Sequence, residues 1–124
     1  MTKFDALRNQ FKKAAQRLSE VLADKKTTVV RDSAIKRFEF TFDLSWKAIK
    51  TWLEEKKGVL CNSPKECFRE AYRQKLIDYD EIWIQMTDWR NASVHTYKEE
   101  LAEGLYADLP KALEQFKKLL KNLK

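Results

Sequence analysis

"RDSAIKRFEFTFDLSWKAIK", residues 31–50, decides the fold. Ile35, Phe38, Phe42 and Ile49 recur at the three- and four-residue spacings of one helical face, and Leu53 continues it. Phe40, Leu44, Trp46 and Trp52 carry the apolar surface further round the cylinder. A helix that is apolar on more than one side lies at the centre of a bundle or against a second subunit. The pattern predicts a helix that starts between Val30 and Asp32 and runs to Lys57. Lys56, Lys57 and Gly58 then supply the stop: cations in the last turn, followed by a residue free to turn left-handed.

The flanking segments repeat the helical period. Phe4, Leu7, Phe11, Ala14, Leu18, Val21 and Leu22 mark a first amphipathic helix that ends near "DKKTT", residues 24–28. "SPKE", residues 63–66, places a capping Ser63, a Pro64 at the first helical position and a Glu66 able to complete a capping box. It opens a short third helix to about Gln74, with Cys67, Phe68, Ala71 and Tyr72 facing inward. Asp78 or Asp80 caps a fourth helix, whose inner side holds Ile82, Trp83, Met86 and Trp89 or Arg90. "TYKE", residues 96–99, is again a capping-box pattern. It predicts that the fourth helix stops near His95 and that a fifth starts near Tyr97. The fifth carries Leu101, Leu105, Leu109, Leu113, Phe116, Leu120 and Leu123, with Pro110 as a kink or restart. "TTVV", residues 27–30, is the only strand-like run and is too short to found a sheet. The expected architecture is all-α: an antiparallel up-and-down bundle of four to five helices, with residues 1–124 as a single domain.

Composition narrows the function classes. With 44% hydrophobic residues the chain fills one core, and 2 Gly and 2 Pro leave little material for tight turns. The net charge of +6 suits RNA, a nucleotide or an acidic partner, and equally a solvated lysine-rich surface. Two cysteines, Cys61 and Cys67, make neither a disulfide framework nor, with one histidine, a zinc set. Both are expected as reduced thiols, with Cys67 as core filler and no metal or cofactor bound. No secretory h-region or membrane-spanning run occurs, so a cytoplasmic, membrane-free protein is expected.

The polar segment "WRNASVHTY", residues 89–97, holds the only histidine. On a straight helix Arg90 and His95 point about 140° apart. A helix end near His95 relaxes that constraint and lets His95 and Tyr97 turn toward Arg90. Arginine grips phosphate with two prongs. Histidine titrates near neutrality and moves a proton to or from a ribose hydroxyl or a leaving oxygen. Asn91 can orient the histidine or a substrate, and Tyr97 offers a hydroxyl or a stacking face. A ribonuclease that needs no metal can be built from such a set. A helix end with a structural histidine accounts for the same spacing.

The segment "RNASVHTY" carries the Arg-x-x-x-x-His-x-Tyr signature of the HEPN superfamily, with an asparagine after the arginine. "RDSAIKRFEFTFDLSWKAIK", "SPKECFREAY" and "LYADLPKALEQFKKLL" resemble one branch of it, the nucleotidyltransferase substrate-binding proteins. The likeness covers nearly the whole chain. It implies a homodimer in which two such corners face a shared cleft, and a minimal nucleotidyltransferase as partner. It also implies a toxin–antitoxin pair, in which the HEPN protein cuts RNA and the partner silences it by transferring AMP to the motif tyrosine. Carried over, Arg90 and His95 are the catalytic residues, Asn91 supports them and Tyr97 is the modified residue. Glu39 and Asp43, one turn apart on the second helix, either reach the same cleft and orient Arg90 or His95, or form a structural ion pair. The branch's name implies a second role, the binding of a nucleotide or other substrate without catalysis.

Overall fold

The computed structural model describes residues 1–79 and 81–124; the expected cap Asp80 lies outside them. Among the described residues five α-helices form the chain: α1 (Lys3–Ala23), α2 (Thr28–Trp52), α3 (Pro64–Arg73), α4 (Glu81–Ala92) and α5 (Glu99–Asn122). A π-helical turn, Leu53–Lys57, extends α2, and a 3-10 turn, Ser93–His95, extends α4. No strand occurs among the described residues, and the all-α bundle is as expected. None of the described helices is long and apolar enough to cross a membrane.

Local chemistry explains the boundaries. Thr2 and Asp5 close a reciprocal capping box on α1. Helix α2 begins earlier than its apolar stripe because Thr27, in extended conformation, accepts a hydrogen bond from the Val30 N–H at 3.0 Å. Gly58 ends the π turn at φ 64°, in the left-handed region. Ser63 caps α3 as expected, accepting from the Glu66 N–H, while the Glu66 carboxylate reaches one residue further back, to the Asn62 N–H at 3.1 Å. Pro110 sits inside α5, which continues through it. Its own N–H is missing, so the helix loses one hydrogen bond there.

Helix α2 packs against each of the other four helices, as its broad apolar surface requires. The centre is an aromatic chain: Phe11 on Phe116 (5.8 Å between centroids), Phe116 on Trp83 (5.7 Å), Trp83 on Phe68 (4.9 Å) and Phe68 on Phe42 (5.7 Å). Trp83, 1% exposed, is therefore core, as expected from its place on the inner side of the fourth helix. Trp46 and Trp52 lie half-buried at the core's edge, and Phe40 is 48% exposed. Tyr72, expected inward, is exposed beside a buried Ala71.

Two expectations are corrected. Cys61 and Cys67 are joined in a disulfide rather than held as thiols. The turn through Ser63 and Pro64 brings Cys61 back over the start of α3, with Cα atoms 5.2 Å apart and both side chains buried. A count of cysteines carries no information on that return. Thr96 does not cap α5. Its backbone is helical (φ −71°, ψ −1°), whereas a capping residue is extended, and Lys98 (φ −85°, ψ 112°) holds the cap position without a side-chain bond. Glu99, the other half of the expected box, is engaged elsewhere: its carboxylate accepts from the Arg31 guanidinium at 2.7 Å.

Candidate functional site

Arg31 fixes the frame of the site. It is 3% exposed at the start of α2, and its guanidinium meets Asp32 at 3.0 Å, Glu99 at 2.7 Å and Glu103 at 3.6 Å. The cluster locks the first turn of α5 to the first turn of α2. Lys26 adds a second tie, 2.6 Å from Glu103. The hydrogen bond from Arg31 holds the Glu99 carboxyl below its usual value, and Lys26 does the same for Glu103. The turn from Ser93 to Lys98 is thereby anchored at its C-terminal side. Within the turn, the Lys98 N–H donates to the His95 carbonyl at 3.1 Å.

Arg90 sits at the last turn of α4, with its side chain 25% exposed. Asp43 accepts two hydrogen bonds from it, from Nε at 3.1 Å and from Nη2 at 3.2 Å. That is the bidentate geometry a guanidinium suits best. Glu39 Oε2 lies 3.5 Å from Nη1, and Lys36 lies 3.3 Å from the same Glu39 oxygen. The Asp43 hydrogen bonds, with the Asp43 and Glu39 charges, raise the Arg90 pKa further above its ordinary value. Both expected acidic residues therefore reach Arg90, across the α2–α4 contact, and neither is bonded to His95. Ser93, 2% exposed, was not singled out from the sequence. Its hydroxyl donates to the Arg90 carbonyl at 2.7 Å and accepts from Arg90 Nη1 at 3.4 Å, so it braces the residue that begins the turn. The available signal was its position three residues after Arg90, where a serine bonds back to a helix carbonyl.

His95 and Tyr97 stand on the outer side of the turn, edge to face with ring centroids 6.0 Å apart. Tyr97 is 75% exposed, and Lys98 Nζ lies 5.9 Å from its ring. Asn91 is exposed as well. Among the described residues no hydrogen bond joins His95 to Arg90 or to Asn91. The corner thus has two parts: an anchored arginine backed by two carboxylates, and an open imidazole–phenol pair. Among the described residues no cluster of three or more His, Cys, Asp or Glu side chains is placed to hold a metal ion. The imidazole and the phenol carry groups that can donate or accept protons, and the guanidinium at the end of α4 carries a fixed positive charge.

An all-α bundle with an Arg-x-x-x-x-His-x-Tyr corner between its last two long helices defines a HEPN-type protein. The chain belongs to the family described as nucleotidyltransferase substrate binding protein like, whose sequence model matches residues 3–124. A curated relative from Haemophilus influenzae, named probable ribonuclease HepT, is 32% identical over 109 residues, covering 82% of this chain and 75% of its own. A crystal structure of a Thermus thermophilus protein superposes with a TM-score of 0.88 at 35% identity, covering 92% of this chain and 98% of that one. A Haemophilus influenzae structure, described as revealing the fold of a substrate binding domain of a nucleotidyltransferase, gives a TM-score of 0.71 at 28% identity, covering 97% and 96%. The family expected from residues 31–50 and 90–97 is borne out.

Proposed function

We propose that the chain is a HEPN-type endoribonuclease, the toxin of a pair with a minimal nucleotidyltransferase. The observation that carries the reading is an Arg90 guanidinium held by Asp43 at the end of α4, with His95 exposed five residues on and its imidazole in no hydrogen bond among the described residues. The 32% identity to a relative named a probable ribonuclease supports it. In the reaction the ribose 2′-oxygen bonds to the adjacent phosphorus and the bond to the 5′-oxygen breaks, leaving a 2′,3′-cyclic phosphate and a 5′-hydroxyl. His95 takes the 2′ proton or gives one to the leaving oxygen, and Arg90 stabilises charge on the phosphorane. No metal is required by this chemistry. A homodimer supplies a second copy of each residue across a shared cleft, and exposed Phe40 and Val94 offer apolar surface for such pairing.

Tyr97 is the proposed control point. Its exposed hydroxyl attacks the α-phosphorus of ATP bound by the partner, pyrophosphate leaves, and an AMP–tyrosine ester forms beside His95. The bulk and charge of that ester deny RNA access to the corner. A second reading is favoured by the family's description and that of the Haemophilus structure: a non-catalytic subunit that presents a nucleotide or other substrate to the nucleotidyltransferase.

The two readings separate on one experiment. Protein shown by mass spectrometry to carry no AMP is incubated with RNA in excess chelator. The ribonuclease reading predicts cleavage that falls by about 10²–10⁴ in His95→Ala and by about 10²–10³ in Arg90→Ala. Intact RNA, together with nucleotide binding weakened by Arg90→Ala, establishes the binding subunit instead.

A further inference from the structure

The geometry points to a second nucleotide subsite beside the Arg90 corner, in which Trp46 stacks a base of single-stranded RNA while Lys47 and Lys50 hold its flanking phosphates. This rests on RNA being the substrate of the corner and extends that reading to how the strand is held. The site is a cleft of about 250 Å³ between the start of α1 and the second half of α2, where Lys3, Leu7, Trp46, Lys47, Lys50 and Glu54 line it.

Three observations carry the assignment. The first is register. Asp43, Lys47, Lys50 and Glu54 follow one another at spacings of four, three and four along α2 and its π turn, so they share one side of the helix. The side that holds Arg90 through Asp43 therefore runs directly into the cleft, and the seven residues from Asp43 to Lys50 span about 10 Å. Neighbouring nucleotides of one unstacked strand cover that distance. The second is charge. The cleft sets Lys3, Lys47 and Lys50 against the single carboxylate of Glu54. Among the described residues the three cleft lysines make no ion pair, as holds for other lysines such as Lys12 and Lys13, and what sets them apart is that they line one cleft. Two ammonium groups along α2 with a third from the start of α1 outnumber the one carboxylate and make an arrangement suited to phosphate. The third is the ring. Trp46 is half-buried at the core's edge with one part open to the cleft, and Lys50 Nζ lies 6.0 Å from the ring centroid. A fixed indole beside lysines is how proteins hold unpaired bases without reading their sequence.

The test measures binding of a short single-stranded RNA, 2′-O-methylated throughout so that it cannot be cut by attack of a 2′-hydroxyl. It uses fluorescence anisotropy over a range of salt, with the full chain and any bound partner intact. Lys47→Ala combined with Lys50→Ala removes the charge of the exposed Lys47 and of the half-buried Lys50, neither of which is a core residue. It is expected to weaken binding about 10-fold or more and to lower the salt slope by about 1.4, the value for two phosphate contacts on a single strand. Trp46→Ala is expected to weaken binding about 10-fold and Trp46→Phe far less, because an aromatic face is retained. Native affinity and salt slope in the double lysine variant overturn the subsite, as does wild-type protein that binds no RNA. So does an acidic peptide that binds as tightly as the RNA while RNA leaves tryptophan emission unchanged, which reassigns the cleft to an acidic protein. Binding that follows these expectations in a protein that never cuts unmodified RNA upholds the subsite and removes the ribonuclease reading. Cleavage with an unaltered KM in the double variant removes the subsite alone.

Discussion

At Arg90 the side chain depends on its acidic partner more than on its own helix. Asp43 takes both ends of the guanidinium fork, and Glu39 stands 3.5 Å from the remaining nitrogen. Asp43→Asn removes the charge and one acceptor while keeping the shape. It is expected to lower RNA cleavage on the order of 10²-fold, as for a catalytic group displaced by about 1 Å. It should change stability by only about 1 kcal/mol, because Glu39 still faces the arginine. Single-turnover kinetics and urea melts of the same variant check both halves. The residue types of this corner were legible in the chain: an arginine, a histidine and a tyrosine in nine positions, with Glu39 and Asp43 at the spacing of one helical turn. The choice between Arg90 and His95 as the partner of those carboxylates was not, because it depends on how α2 and α4 cross. Ser93 was hidden for a different reason. Its role is a bond to a backbone carbonyl three residues earlier, which any surface serine at that position would advertise equally.

Among the elements, the start of α5 shows how tertiary contacts override local signals. "TYKE" has the form of a capping box, yet Glu99 binds Arg31 and Thr96 keeps a helical backbone. Thr27, at the head of α2, is the working cap. Thr27→Ala is therefore expected to cost about 1 kcal/mol, and Thr96→Ala to stay within about 0.5 kcal/mol of wild type, both read from urea unfolding. The Arg31 cluster adds a pH dependence. Glu99 titrates below its ordinary value of 4.5 in the folded chain because Arg31 donates to it. The stability it contributes is present above 4.5 and is lost as pH falls through the lower folded value. Protonation there leaves the guanidinium of Arg31, 3% exposed, with fewer partners. Glu99→Gln should be less stable than wild type at neutral pH, and the two should converge in acid. Unfolding free energies measured across that range check it; a constant difference at every pH contradicts it.

Over the whole molecule, helix periodicity carried most of the fold, since α2 must bury apolar residues on more than one side and four other helices supply the cover. What periodicity did not convey was a covalent closure between two residues of one loop and helix. The disulfide spans six positions, and by the loop-entropy relation it contributes about 2 kcal/mol. Reduction is expected to lower the thermal midpoint by several degrees, checked by calorimetry with and without reductant after thiol titration has shown the pair oxidised. Bundle geometry also sets where the corner lies. The aromatic chain from Phe11 to Phe42 occupies the centre, while Arg90 is anchored at the end of α4 and His95 and Tyr97 are exposed on the turn that follows. The most direct measurement is the identity of the ends left on a defined RNA cut by AMP-free protein in chelator. Attack by the 2′-hydroxyl predicts a 2′,3′-cyclic phosphate and a 5′-hydroxyl, and no cut where the scissile ribose lacks its 2′-hydroxyl. A 5′-phosphate product, cleavage at that deoxy position, or intact RNA contradicts the account.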